Sequence, residues 1–273
     1  MNRRFSCSVT TAWEWNLGQC IETWKHLAIP AIGVTRLGME RYGVEKSIKE
    51  LRTSGLAVSS YQGIRVSGMF DKTTYKKSKD EEVRALEAAA AIGADCVYLI
   101  TGPRGNLSWE EAAKRTEAMA QELLIEAKKR HLRIALEPVH PMRQDLTFVN
   151  TAADAYSIVK AVNDKEFGYV FDCWHLWWSR DVMDVIKHSA KKMFAVQLDD
   201  HKPNSNRTMD RAMLGKGIIP LKEILPAIEK GGYQGYYDVE IIADDLKAMG
   251  YDVALKQIIG DFDRLWAECF GKR

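Results

Sequence analysis

No run of about 18 consecutive apolar residues occurs anywhere in the chain, so no segment reads as a membrane-spanning helix. Net charge is also nearly absent. Lys and Arg total 39, Asp and Glu total 37, and the formal net charge is +2. A dedicated nucleic-acid binder needs a clustered basic surface, and this balance argues against one. There is no CxxC pair. The five cysteines (Cys7, Cys20, Cys96, Cys173 and Cys269) are odd in number and scattered, which excludes a disulfide framework and a thiolate metal site. They read as reduced thiols packed as small hydrophobes in a cytoplasmic protein. No Gly-rich dinucleotide fingerprint follows the first strand candidate, which weakens a Rossmann reading. Low-complexity stretches and Pro-rich linkers are missing. The opening MNRRFSCSVTTAWEW is basic, but Trp13, Glu14 and Trp15 stand where a secretory signal would place its apolar core, so a cytoplasmic location is expected.

What is present is a globular mixture, 46% hydrophobic and 28% charged. Short β-rich runs alternate with longer amphipathic stretches. Strands are expected at 4–9, 31–34, 57–61, 96–101, 132–137, 169–172, 193–198 and 236–242. Helices are expected at 17–27, 44–54, 81–91, 108–130, 151–162, 181–189 and 221–230, with a closing helix over 246–266 broken at Gly260. Ser108 and Glu111 have capping-box spacing, and Gly93 stands where a helix C-terminus needs it. Eight β units with helical crossovers predict a parallel sheet with helices outside it. In a chain of 273 residues that points to a single α/β domain over 1–273, a (β/α)8 TIM barrel.

Such a barrel carries its active site at the C-terminal ends of its strands. There the sequence places Glu137, Asp172, Gln197, Asp199, Asp200, His201 and Glu240, each at or just past an apolar β run. Converging carboxylates repel one another, and burying one costs several kcal/mol unless it is paired or bound to a cation. A divalent ion held by oxygen ligands removes that cost, and the donor set suits Mg or Mn. Of the Trp residues near the expected barrel mouth (Trp13, Trp15, Trp174, Trp177 and Trp178), Trp15 or Trp174 is expected to reach the pocket. The Lys72–Lys79 run is expected in a solvated loop after the third strand.

LEPVHP (136–141), FDCWHLWW (171–178), VQLDD (196–200), RAMLGKGIIPL (211–221) and YYDVEI (236–241) occur in that order. Together they resemble the xylose-isomerase-like superfamily, the sugar phosphate isomerase/epimerase proteins, over essentially the whole chain. The resemblance implies a metal held by Glu137, Asp172, Gln197 and Glu240, with His201 as an alternative ligand. Gln197 departs from the commoner histidine and looks closer to the 3-dehydroshikimate dehydratase branch. The resemblance further implies substrate contacts from His140, His175 and Arg211. It implies a metal-dependent isomerase or epimerase of a free or phosphorylated sugar. That enzyme works through an enediolate, with Glu137, Glu240 and His175 moving protons. A lyase acting by β-elimination on a keto-sugar, keto-inositol or 3-dehydroshikimate-like substrate is the alternative. A metal-dependent endonuclease shares the barrel but needs more than six histidines and a basic face. A non-catalytic binding barrel would carry no metal. The expected partners are a small sugar or keto-polyol and further copies of the chain, with neither nucleic acid nor membrane.

Overall fold

The structure, a computed structural model, describes residues 2–207 and 210–271. Its strands are β1 (Phe5–Ser8), β2 (Ala31–Thr35), β3 (Ala57–Arg65), β4 (Cys96–Ile100), β5 (Arg133–Leu136), β6 (Phe167–Asp172), β7 (Met193–Leu198), β8 (Asp200–His201), β9 (Arg211–Ala212) and β10 (Tyr237–Val239). Eight of them close a parallel barrel in the order β1-β10-β7-β6-β5-β4-β3-β2, with β1 and β2 paired. The two short strands β8 and β9 pair antiparallel as a ribbon just past the end of β7. Helices lie between the barrel strands, so the chain is a (β/α)8 TIM barrel.

Strand alternation decides what faces where. Val196 and Leu198 of β7 join the apolar layer between sheet and helices, as do Phe171 of β6 and Val239 of β10. Gln197, Asp172 and Asp238 occupy the intervening positions at one level of the barrel, since Asp172 pairs with Gln197 and Gln197 with Asp238. A small separate apolar cluster (Cys96, Tyr98, Ala135, Val170, Phe194 and Ala195) plugs the interior. Polar side chains are therefore stacked inside the barrel between this plug and the open end.

The helix termini follow local chemistry. Ser108 and Glu111 form the expected capping box, and Asn16 with Gln19 forms a second. Three sequence expectations need correction. The closing helix breaks at Gly250, not Gly260: helices run over Asp244–Met249 and Tyr251–Phe270. Gly250 has φ +83°, where a Cβ is strained, whereas Gly260 sits inside the second helix. A short helix at Arg36–Tyr42 precedes the expected one at Val44–Ser54. Finally, Tyr75–Lys79 of the basic run is not loop but the start of the helix Tyr75–Ala91, with Lys79 paired to Glu122 at 2.6 Å.

That helix also carries Glu82, whose side chain is nearly buried and meets Arg36 at 3.2 Å. Burial pushes its carboxyl up to about 7, against the opposing pull of Arg36 and of the Arg65 backbone N–H. A folded-state value raised above the unfolded one means that the native state loses stability as pH climbs from about 4.5 to 7. Glu82→Gln is therefore expected to stabilise by about 3 kcal/mol above pH 7 and to be nearly neutral at pH 4. Urea unfolding at the two pH values checks this.

Candidate active site and metal centre

The C-terminal ends of the strands surround a cavity of about 800 Å³, with Glu137, Glu240, His175 and Arg211 on its lining. Glu137 follows β5, and its backbone N–H donates to the Leu99 carbonyl at 2.8 Å, which extends the ladder by one residue. Burial pushes its carboxyl up to about 8, and repulsion from Glu240 and Asp172 adds to the shift; Arg211 opposes it. Asp172 closes β6 and is fully buried. Its Oδ1 accepts the His175 backbone N–H at 2.9 Å, capping the short helix Cys173–Leu176. Among the described residues its Oδ2 has no hydrogen-bond partner. Gln197 is fully buried, and both ends of its amide are unpartnered among the described residues. Glu240 follows β10; its Oε1 accepts from Ser8 Oγ at 3.2 Å and Gln62 Nε2 at 3.5 Å.

Arg211 lies among these carboxylates. The β8–β9 ribbon carries it back over the barrel, where it is 2% exposed. Its Nη1 donates to Asp199 Oδ2 at 2.5 Å, Glu240 Oε2 at 3.1 Å and the Glu240 carbonyl at 2.8 Å, and lies 3.3 Å from Asp172 Oδ2. The guanidinium carbon lies 5.7 Å from the centre of the Trp174 ring. Asp172, Asp199 and Glu240 raise the arginine further above its ordinary value, against its own burial. Burial and the Asp172 carboxylate push Asp199 well up.

His175 is buried, and burial together with Arg211 drives its pKa well below 6.5, so the ring is neutral. Its Nδ1 accepts the His140 backbone N–H at 3.3 Å, and its Nε2 lies 3.5 Å from Arg211 Nη2 and 3.8 Å from Asp172 Oδ2. His140 is half-buried and packs edgewise on Trp178 and tilted against Trp174. Trp15 lines the cavity and packs edge-on against Tyr251. Trp174 lies instead beneath the site, between Arg211 and the stacked ring of His201. His201 Nδ1 donates to the Lys202 carbonyl at 2.7 Å, so it is engaged away from the carboxylates.

Several contributors were placed by the sequence without a role or missed altogether. Asp199 is the ionic partner of Arg211, whereas Asp200 accepts backbone N–H groups from Gly215, Gly217 and Ile219 at 2.9–3.1 Å and moulds the GKG turn. The VQLDD motif gave both aspartates without saying which faces inward. Ser8, Gln62 and Tyr98 carried no signal beyond their strands.

The donor chemistry suits a hard divalent cation. Four carboxyl groups (Glu137, Asp172, Asp199 and Glu240) meet one guanidinium and one neutral histidine. Two buried oxygens, Asp172 Oδ2 and Gln197 Oε1, have no hydrogen-bond partner. The surplus of carboxyl groups over cationic side chains and the oxygen donors match what a hard divalent cation prefers. Among the described residues, no three His, Cys, Asp or Glu side chains are grouped so that they could hold a metal ion as they stand; Arg211 Nη1 stands between Asp172 and Glu240.

Residues 19–259 match the family described as the xylose isomerase-like TIM barrel. The chain belongs to that family. Within this xylose isomerase-like family, the chain is 29% identical over 197 residues to an inosose isomerase of Halalkalibacterium halodurans, an alignment covering 68% of this chain and 67% of that protein. Among solved structures, protein SMc04130 of Sinorhizobium meliloti superposes with a TM-score of 0.88 at 25% identity, over 96% of this chain and 98% of that one. A second, described as the IOLI protein with a binding zinc atom, gives a TM-score of 0.86 at 21% identity, covering 98% of this chain and all of the other. The latter likeness speaks for the fold alone.

Proposed function

We propose that the chain is a divalent-metal-dependent isomerase or epimerase of a keto-polyol, and that an inosose-type ring ketone is the class of substrate its cavity takes. The supporting observation is the surplus of carboxyl groups around Arg211, two of them (Glu137 and Glu240) lining the cavity, beside buried oxygens of Asp172 and Gln197 that lack a hydrogen bond among the described residues. The similarity to inosose isomerases supplies the substrate class. Glu137, Asp172, Gln197 and Glu240 are the proposed ligands of Mn or Mg. When bound, the cation polarises the substrate carbonyl and offsets the charge that develops once the neighbouring carbon loses its proton.

The remaining chemistry falls to the chain. Glu137 and Glu240 are the proposed proton carriers, one taking the carbon-bound proton and one returning it. Glu137 has the raised affinity for a proton that a group working near neutrality requires. Neutral His175 lines the cavity beside the cluster and is the proposed partner for hydrogen bonding or proton transfer to a substrate oxygen. Arg211 holds Glu240 in place from beneath. Trp15, Leu17 and Val9 give the cavity apolar wall suited to the C–H face of a ring. Return of the proton to the same carbon from the other side gives epimerisation; return to the adjacent carbon gives isomerisation. Loss of a β-hydroxyl gives the lyase outcome, which Gln197 keeps as the second reading.

The protein purified with Mn²⁺ is expected to hold near-stoichiometric metal. Incubated with an inosose in D₂O, it is expected to place deuterium on the carbon beside the carbonyl, read by NMR. A dehydrated product replaces the isomerase reading with the lyase one. No metal uptake and no exchange with any keto-polyol would falsify both.

A further inference from the structure

Gln197 is the one proposed ligand with two dissimilar ends. Its amide can present an oxygen, which binds a cation, or an NH₂ group, which repels one. Glu137, Asp172 and Glu240 are all acceptors, so taken alone they would draw the NH₂ end towards themselves and turn the oxygen away. Something on the other side must claim the nitrogen.

The neighbouring strand supplies a candidate. Asp238 on β10 pairs in register with Gln197, opposite Asp172. The residue is 1% exposed; Oδ1 accepts from Ser6 Oγ at 2.5 Å, whereas Oδ2 has no hydrogen-bond partner among the described residues. Ser60 Oγ and Tyr98 OH, both buried, are unpartnered too. Gly33 borders this group: a Cβ there would stand 2.5 Å from Asp238 Oδ2 and 3.0 Å from Ser60 Oγ, in space the glycine leaves free. Unsatisfied donors (the Gln197 NH₂ and the Tyr98 hydroxyl) mix here with unsatisfied acceptors. A cation cannot satisfy an N–H, but a water molecule, both donor and acceptor, can satisfy both kinds.

We propose that Asp238 is a positioning residue for Gln197, acting through a water buried inside the barrel. Asp238 and its water take the amide N–H groups, and Oε1 is left facing Glu137, Asp172 and Glu240. This rests on the metal reading above. It makes Asp238 matter to metal binding without its being a ligand.

The test is a double-mutant cycle on Mn²⁺ affinity, read from the EPR signal of free Mn²⁺, with thermal melts as a control for folding. Asp238→Asn and Gln197→Ala are each expected to weaken Mn²⁺ binding about tenfold. The double variant is expected to bind no more weakly than Gln197→Ala, because Asp238 then has no amide to orient. Wild-type affinity in Asp238→Asn overturns the proposal. So does an equal loss in both backgrounds, which would mark a plain loss of nearby charge. If Asp238→Asn does not fold, Gly33→Ala replaces it in the same cycle, since its methyl displaces the Asp238 carboxylate; the same outcomes apply. A wild-type protein that takes up no Mn²⁺ overturns the metal reading and this proposal together, whereas failure of the cycle alone leaves the metal reading standing.

Discussion

Glu240→Gln is expected to lower kcat about 10³-fold while leaving the protein folded. The side chain is 6% exposed at the cavity floor and accepts from Ser8, Gln62 and Arg211. Glutamine keeps its shape but removes one negative charge from the proposed metal set and one proton carrier from the proposed chemistry. Its NH₂ group would also face either Arg211 or Ser8 and Gln62, trading an acceptor for a donor. Glu240 is one of four carboxyl groups in a crowded cluster and raises the proton affinity of both Glu137 and Asp199, so stability is not expected to fall when its charge is removed. The signature is thus a steep loss of turnover and of deuterium exchange at an unchanged or higher Tm. A variant that turns over within tenfold of the wild type removes Glu240 from the chemistry.

Arg211→Met is expected to act in the opposite sense, destabilising the fold by about 3–5 kcal/mol. The methionine fills similar space, but Asp199 loses its one ionic partner among the described residues while remaining fully buried, and Asp172 and Glu240 lose their contacts with the guanidinium. Breaking a buried ion pair from one side leaves the stranded charge to bear the whole cost of desolvation. The companion Asp199→Asn change removes the stranded charge while keeping an acceptor for the Trp174 backbone N–H, now held at 2.7 Å. The pair of substitutions should therefore recover at least about half of the loss. Urea midpoints of the wild type, the two single variants and the double variant measure this. Additive losses would show that Arg211 stabilises through something other than Asp199.

The barrel was legible because each strand is a short apolar run and each crossover an amphipathic stretch, patterns that survive without tertiary information. The strand-end residues were legible for the same reason: a carboxylate at the end of FGYVFD or in VEI interrupts an apolar run. What escaped was set by contacts distant in sequence. Arg211 bonds to Asp199 and to Glu240, 12 and 29 residues away, and nothing local tells a substrate-contacting arginine from one locked among carboxylates. Trp174 follows β6 as expected, but its ring turns under the site, and only the ribbon that brings Arg211 and His201 onto it explains why. The break at Gly250 escaped because two glycines stood in one helical stretch, and only a backbone angle separates the one that ends a helix from the one that rides inside it.

Gln197 has one more consequence under the proposed metal set. A histidine ligand competes for its metal with protons, and loses that competition as pH falls through about 6.5. An amide has no basic nitrogen to protonate. With glutamine on β7, every proton that could displace the cation must arrive on a carboxylate, so the retention of metal in mild acid becomes a property of Glu137, Asp172 and Glu240 alone.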